Sequence, residues 1–300
     1  MGLFADALVQ CLDGQRPGPI LLPEIIPREA IMFLGREQIH HPGYSILEKA
    51  YIALFGIPIV GLRIRARNVF SLIPTGRSYK HILDAGSGPG VFCFELGRRF
   101  PNARIIGVDL LKDSIAACEH IVSKLNVANL EFEQVAIEQL QHKDFFDLIV
   151  CVDILEHIQD DVAALNGLYR STAPGGMLVL HVPALYRRYP VWQKCLNFDV
   201  ETHVRAGYEP QDIVKKVKQA GFKIHESGFT YGFWETLANN LSYMITHARM
   251  QNKILYSLAF PVLWCMSLLD ARARPQKLGA GVFVVAEKKL NELAEIFPLA

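Results

Sequence analysis

The chain has 300 residues, 51% hydrophobic and 20% charged, enough apolar content for a large buried core and too much for a disordered chain. A net charge of +1 gives no basic field of the kind a nucleic-acid partner needs. The six cysteines (Cys11, Cys93, Cys118, Cys151, Cys195, Cys265) are scattered without a C-x-x-C pair, and several stand in apolar patterns, which predicts free buried thiols and a reducing, cytoplasmic setting.

In chain order, the amino terminus lacks a basic stretch followed by an apolar core, so no secretory signal is expected. Asp6 stands where a myristoylation signal carries Ser or Thr. Residues 1–75 are read as a helical extension, with apolar runs at 20–27 and 51–58 broken by prolines. The basic clusters Arg63, Arg65, Arg67 and Arg187, Arg188 are read as solvated faces. From about residue 76 to 230, strand and helix patterns alternate, as in a parallel sheet covered on both faces. Strands are expected at 80–84, 104–109, 130–134, 146–152, 177–182, 222–227 and 281–286.

A helix is expected to follow the first strand at 91–99. Between the second and third strands, Ile115, Cys118, Val122 and Leu125 form a stripe at helical spacing. The next helix is capped by Asp160 or Asp161 and buries Val162, Leu165, Leu168 and Tyr169. Another has Pro210 in its first turn, buries Ile213, Val217 and Ala220, and stops at Gly221. Residues 229–278 interrupt the hairpin between the last two strands and are aromatic and apolar. Their longest apolar run, 254–269, contains Pro261 and falls short of the ~20 residues that cross a bilayer.

The most informative stretch is 81–91, His-Ile-Leu-Asp-Ala-Gly-Ser-Gly-Pro-Gly-Val. A short apolar run reaches Asp84, and Gly86, Gly88 and Gly90 follow at alternate positions before the helix. Glycine lets the backbone approach a ligand with no Cβ in the way, and a strand, glycine turn and helix N-terminus together cradle an adenosine-type cofactor. The next strand ends in Asp109, placed to accept two ribose hydroxyls. The dinucleotide fingerprint G-x-G-x-x-G needs glycine at position 91, where this chain has Val91, which speaks against an oxidoreductase using a nicotinamide cofactor.

The G-x-G-x-G loop preceded by Leu-Asp-Ala resembles motif I of the class I S-adenosylmethionine (SAM)-dependent methyltransferases. The resemblance covers roughly 76–228 and 279–288. It implies a Rossmann-like α/β fold: a seven-stranded, mostly parallel sheet with helices on both faces and the last strand antiparallel. Outside it lie the N-terminal helical segment (1–75) and the apolar insertion (229–278) of a 76–288 domain, and a tail at 289–300. It further implies that Asp84, Gly86, Gly88 and Gly90 surround the methionine part of SAM, Asp109 binds the ribose, and Leu110 stacks near the adenine. The family's adenine-binding acid is replaced by Ala136, leaving the backbone of Ala136 and Ile137 to meet the ring edge or Glu138 to substitute for the acid.

The strand ending at Asp153 runs into Ile154-Leu-Glu156-His157, an Asp-x-x-Glu-His element similar to the Glu-x-x-Glu-His of ubiquinone-pathway O-methyltransferases. In such families the element can hold a divalent metal, here through Asp153, Glu156, His157 and His203. The preferred reading is that His157 shapes the pocket without a metal. Asp153, His157 and His203 are the catalytic candidates, since a histidine near neutral pKa can take the acceptor's proton. The expected reaction is in-line methyl transfer, to oxygen before carbon or nitrogen, on a small hydrophobic or lipid-linked acceptor. For the insertion a lid with membrane association comes first, a homodimer interface second and extra core third. The location is then cytoplasmic, at the inner face of a membrane. A non-catalytic SAM-binding subunit is the remaining alternative.

Overall fold

The computed structural model describes residues 33–189, 192–197, 202–247, 253–270 and 278–290. The expectations for the extreme amino terminus, the apolar run at 20–27, Cys11 and most of the tail lie outside them.

The central sheet contains β1 (His81–Ala85), β2 (Arg104–Asp109), β3 (Leu130–Gln134), β4 (Phe146–Val152), β5 (Thr172–Pro183), β8 (Lys223–Thr230) and β9 (Gly281–Glu287). Its order is β3-β2-β1-β4-β5-β9-β8. The first five are mutually parallel, and β9 runs antiparallel between β5 and β8. All seven expected strands form, with β5 and β8 longer than their apolar runs. A separate ribbon pairs β6 (Tyr186–Arg188) with β7 (Lys194–Leu196), short strands that the sequence pattern did not reveal. The strand order reverses between β1 and β4, so the crevice at their carboxyl ends is where ligands bind in such sheets.

Inner strands are buried on both faces, hence their continuous apolar runs. One face carries Leu83, Ile106, Ile149 and Leu178 against α5 (Asp161–Ser171) and α6 (Pro210–Gln219). The other carries Ile82, Ile105 and Leu148 against α3 (Val91–Arg99) and α4 (Lys112–Leu125). Asp160 is the α5 cap, its side chain accepting the Ala163 N–H at 2.9 Å. Val162, expected inside, is exposed one residue into that helix, and Leu125 is exposed at the last turn of α4. In both cases the stripe is right and its end residue has rotated off the buried face.

The two segments outside the sheet, far apart in sequence, pack on each other. The first comprises α1 (Ile46–Phe55), opened by a Ser45–Glu48 capping box, and α2 (Val60–Leu72). The second comprises α7 (Phe233–His247) and α8 (Lys253–Ser267). Val60 and Ile64 of α2 join Tyr231, Ala238, Phe260, Leu263 and Trp264 in a third core. Later positions on α2, Ala66, Val69 and Phe70, pack instead on the sheet's own core.

The arginines of α2 are not a solvated face. Arg63 is fully buried, its Nε donating to Ile57 O at 2.8 Å and its guanidinium lying over Phe260 and Trp264 at 5.2 and 4.8 Å. Arg67 is buried and paired with Glu235 of α7 at 2.5 Å. Arg187 is likewise buried, donating to Asn240 and Asn197. Long cationic side chains enter the interior here because carbonyls, aromatic faces and one carboxylate receive them.

Candidate functional site

On one side of the crevice, the glycine loop leaves β1 and bends back over β2. The N–H groups of Gly86 and Ser87 both donate to Val108 O at 2.8 Å. Gly86 and Gly88 have φ of +82° and +49°, the left-handed region that favours glycine. At Gly86 a Cβ would strike the Ile154 side chain, whereas at Gly88 it would project into open space. That open space beside a bare backbone is what a bound ligand would fill. Val91 is buried as the first residue of α3, so no third glycine extends the loop into the dinucleotide pattern.

Asp109 sits where β2 ends, one carboxylate oxygen accepting the Gly88 N–H and the other the Leu111 N–H, each at 2.8 Å. The acid that the sequence placed at the second strand thus holds the loop from the first. Asp84 is buried beneath; burial pushes its carboxyl up to about 7, and the hydrogen bond from the Cys93 thiol at 3.1 Å offsets only part of this. Leu110 is exposed at the rim. Val135 N–H donates to Asp109 O at 3.1 Å, bringing the end of β3 and Ala136 to the same rim. The Ile137 side chain is turned into the core, and its carbonyl accepts the Leu140 N–H and lies against Gly167 of α5. From the N-terminal segment, buried Gln38 donates to Pro89 O at 2.7 Å and covers the loop's far end, a contact with no sequence signal.

On the other side, β4 ends at Asp153, a non-glycine residue with φ of +51°. Its carboxylate receives Arg65 Nη1 at 3.1 Å and His181 Nδ1 at 2.7 Å. His181 is buried on β5, and its Nε2 meets the Thr230 hydroxyl at 2.8 Å. Burial alone would raise the Asp153 carboxyl, but Arg65, His181 and His203 hold it below the ordinary carboxylate value. Arg65 and His181 were missed in the sequence: one was read as surface charge, the other was a lone histidine in an apolar strand.

Three residues beyond, in a single 3-10 turn, Glu156 and His157 come together with His203, one ligating atom from each lying within 4.8 Å of the others. Asp153 stands outside this group, engaged by Arg65 and His181. The loop bearing His203 is pinned by Val204 N–H donating to Glu156 O at 2.9 Å. Arg205 reinforces it, donating to the carbonyls of Leu155 and Ile158 at 2.6 and 2.7 Å. The His157 and His203 rings meet edge to face, centroids 4.5 Å apart. His157 Nδ1 lies 3.0 Å from Thr202 O; a carbonyl only accepts, so Nδ1 carries the hydrogen and Nε2 keeps its lone pair. Glu156 is buried, its Oε2 lacks a hydrogen-bond partner among the described residues, and burial, with the charge of Asp153 added, raises its carboxyl well above the usual value. The two carboxyls are therefore shifted in opposite directions, Asp153 downward by its ion pairs and Glu156 upward by burial.

A loop open at Gly88, an acid at the second strand and a buried acid below suit a cationic adenosine-type ligand such as SAM. A methyltransferase-domain family matches residues 77–231, just over half of the chain. A ubiquinone biosynthesis O-methyltransferase of Psychrobacter cryohalolentis is 31% identical over 186 residues, covering 57% of this chain and 72% of that one. Its counterpart in Psychrobacter arcticus is 27% identical with the same coverage. Among solved structures, a phosphoethanolamine N-methyltransferase 2 of Haemonchus contortus in complex with SAM shares the fold (TM-score 0.54, 17% identity, 85% of this chain and 60% of that one). The [4+2]-cyclase SpnF shares it too (TM-score 0.51, 15% identity, 76% and 82%), so the fold by itself does not fix a reaction. With the family match over the loop, both acids and the β4 element, the chain belongs to the class I SAM-dependent methyltransferases.

Proposed function

We propose that this methyltransferase transfers a methyl group in line to an oxygen of a small apolar or lipid-linked acceptor, with the cluster beyond β4 receiving the acceptor's proton. The observation that carries this reading is His157, whose Nδ1 is committed to Thr202 O, leaving Nε2 as the acceptor nitrogen of the neutral ring, 4.0 Å from buried Glu156. SAM, when bound, supplies an electrophilic methyl group on its sulfonium. The chain's own task is to hold and align the reactants, keep water out, and take the proton that a hydroxyl must lose as its oxygen is methylated.

Asp84, Gly86, Gly88 and Gly90 are assigned to the methionine side of the donor. Asp109 is assigned to the ribose, each of its oxygens keeping a lone pair beyond the N–H it accepts. Leu110 and the backbone of Ala136 and Ile137 border the adenine. Asp153, which the sequence made a catalytic and metal-binding candidate, is assigned to positioning, because its ion pairs keep it ionised. His157 receives the proton, and His203 supports its ring. The names of the Psychrobacter relatives support oxygen as the accepting atom. A lipid-linked acceptor implies work at the inner face of a membrane, a homodimer being the other use of exposed apolar surface.

A cationic donor favours ionised Asp84. Its affinity should therefore rise with pH until about 7 and level off above, falling up to about tenfold per unit below. For stability the sign is opposite: the folded chain holds this proton more tightly, so the contribution is greatest near pH 4 and is lost by about pH 7. Glu37, also raised to about 7 by burial beside Arg98, titrates in the same range, so calorimetry of SAM binding to Asp84→Asn isolates the effect as a flat profile.

A second reading is favoured by the same cluster: Glu156, His157 and His203 offer one oxygen and two nitrogen ligands, a set suited to Mg²⁺, Mn²⁺ or Zn²⁺. The test for both is incubation with SAM and lipid or aqueous extract, followed by mass spectrometry for an acceptor gaining one methylene in mass. An apolar product formed equally well with a chelator present supports the metal-free reading. Loss on chelation and recovery with added divalent ion supports the metal, and a strictly water-soluble acceptor overturns the apolar one.

A further inference from the structure

We propose that α1 and α8 form a platform that lies on an anionic lipid bilayer, an inference that rests on the apolar-acceptor reading above and names the surface that serves it. The inward face of α8, Phe260, Leu263 and Trp264, is spent on the core shared with α2. Its outward face should then be polar, as on a surface helix of a water-soluble protein. Instead Ile254, Leu258 and Val262, four residues apart and hence in one stripe, are 76%, 72% and 69% exposed. Helix α1 touches α8 through Tyr51, whose Oη donates to Ser257 O at 2.6 Å and whose ring lies 6.3 Å from that of Phe260. Its own outward positions Ile46, Leu47 and Leu54 are exposed as well.

Two exposed apolar stripes on neighbouring helices, drawn from segments about two hundred residues apart, need a common occupant. Charge selects it. In sequence, Arg249 and Lys253 stand before and at the start of α8, and Arg272, Arg274 and Lys277 follow its described end, five cations against the one acid Asp270, so the sequence is basic on both sides of the helix. Two copies pairing through α8 in opposite directions would set basic ends against each other. A bilayer with anionic head groups answers both ends and the stripe between them.

The continuous helical run Lys253–Asp270 is 18 residues, longer as a helix than the apolar run suggested, and by length and composition alone it could cross a membrane. Crossing would strip it from α2 and expose the Arg63 guanidinium, which now lies under Phe260 and Trp264, to hydrocarbon. Lying flat keeps that contact and buries only the outer stripe, the geometry of an interfacial helix.

The test is flotation of the full chain with phosphatidylcholine vesicles, neutral or carrying about 30 mol % phosphatidylglycerol. Wild type should float with the anionic vesicles and less so in high salt. The double variant Leu258→Asp, Val262→Asp changes only outward positions; it should lose binding by about tenfold or more while calorimetry shows unchanged SAM affinity. Wild type remaining in solution with both vesicle types overturns the proposal. So does a solution dimer that the double variant splits, with no vesicle binding. Vesicle binding without methylation of any lipid-extract component upholds the platform and overturns the acceptor reading instead.

Discussion

Replacing Asp109 with Ala should weaken SAM binding about a hundredfold and leave the protein folded. The carboxylate has two duties at once. It holds the glycine loop, through Gly88 N–H, to the turn after β2, through Leu111 N–H, both at 2.8 Å. In the proposed donor site its remaining lone pairs are assigned to the ribose. A hydrogen bond to a charged acceptor contributes roughly 1.5–3 kcal/mol, and water replaces part of what is lost. A net loss of about 3 kcal/mol corresponds to about two orders of magnitude in affinity. Because Asp109 is only half-buried, thermal unfolding should change little. Asp109→Asn should behave almost as badly, since its amide nitrogen must face one of two backbone donors. Titration calorimetry decides the matter, and a loss under about fivefold for the alanine variant would remove Asp109 from the donor site.

The second large effect belongs to His157. Changing it to Ala removes the lone pair left by the Thr202 hydrogen bond and should lower kcat by about 10²- to 10⁴-fold, the usual worth of a positioned base. The SAM dissociation constant should stay within about twofold, because His157 lies on the acceptor side of Asp153 and touches no part of the glycine loop. His203→Ala should give a smaller fall in kcat of the same kind, as its ring supports His157 from the side. Equal losses of turnover and donor affinity would mean a collapsed crevice, and an unchanged kcat for His157→Ala would exclude it as the proton acceptor. Single-turnover measurement at saturating SAM separates these outcomes.

The donor half was legible in the sequence because it is local. Gly86, Gly88 and Gly90 follow one strand within a few residues, and Asp109 ends the very next one, so chain order already brings them together across a parallel pair. The Glu156-His157 element was legible for the same reason, lying directly after β4. The acceptor half was less so. His203 reaches Glu156 through a loop pinned by Val204 and Arg205; the family resemblance grouped these residues, but the contacts that join them belong to no local sequence pattern. What the sequence did not show of Asp153 is its pairing with Arg65, from a helix outside the family match, and with His181, from the next strand.

The apolar segments show the same division. Their composition announced something other than ordinary surface, but residues 33–72 and 229–270 read as unrelated additions until α2 was seen packed against α7 and α8. Arg63 and Arg67 carried the opposite of their sequence meaning, being buried where they seemed solvated, because their partners lie about two hundred residues away. The sequence by itself determined the class, the donor and the positions of the seven strands, since periodicity and glycine spacing act over a few residues. Tertiary structure decided which acid stays ionised, which histidine nitrogen is basic, and which apolar faces remain uncovered. Each of those is an electrostatic or packing property of groups distant in the chain, and only the fold sets their separation.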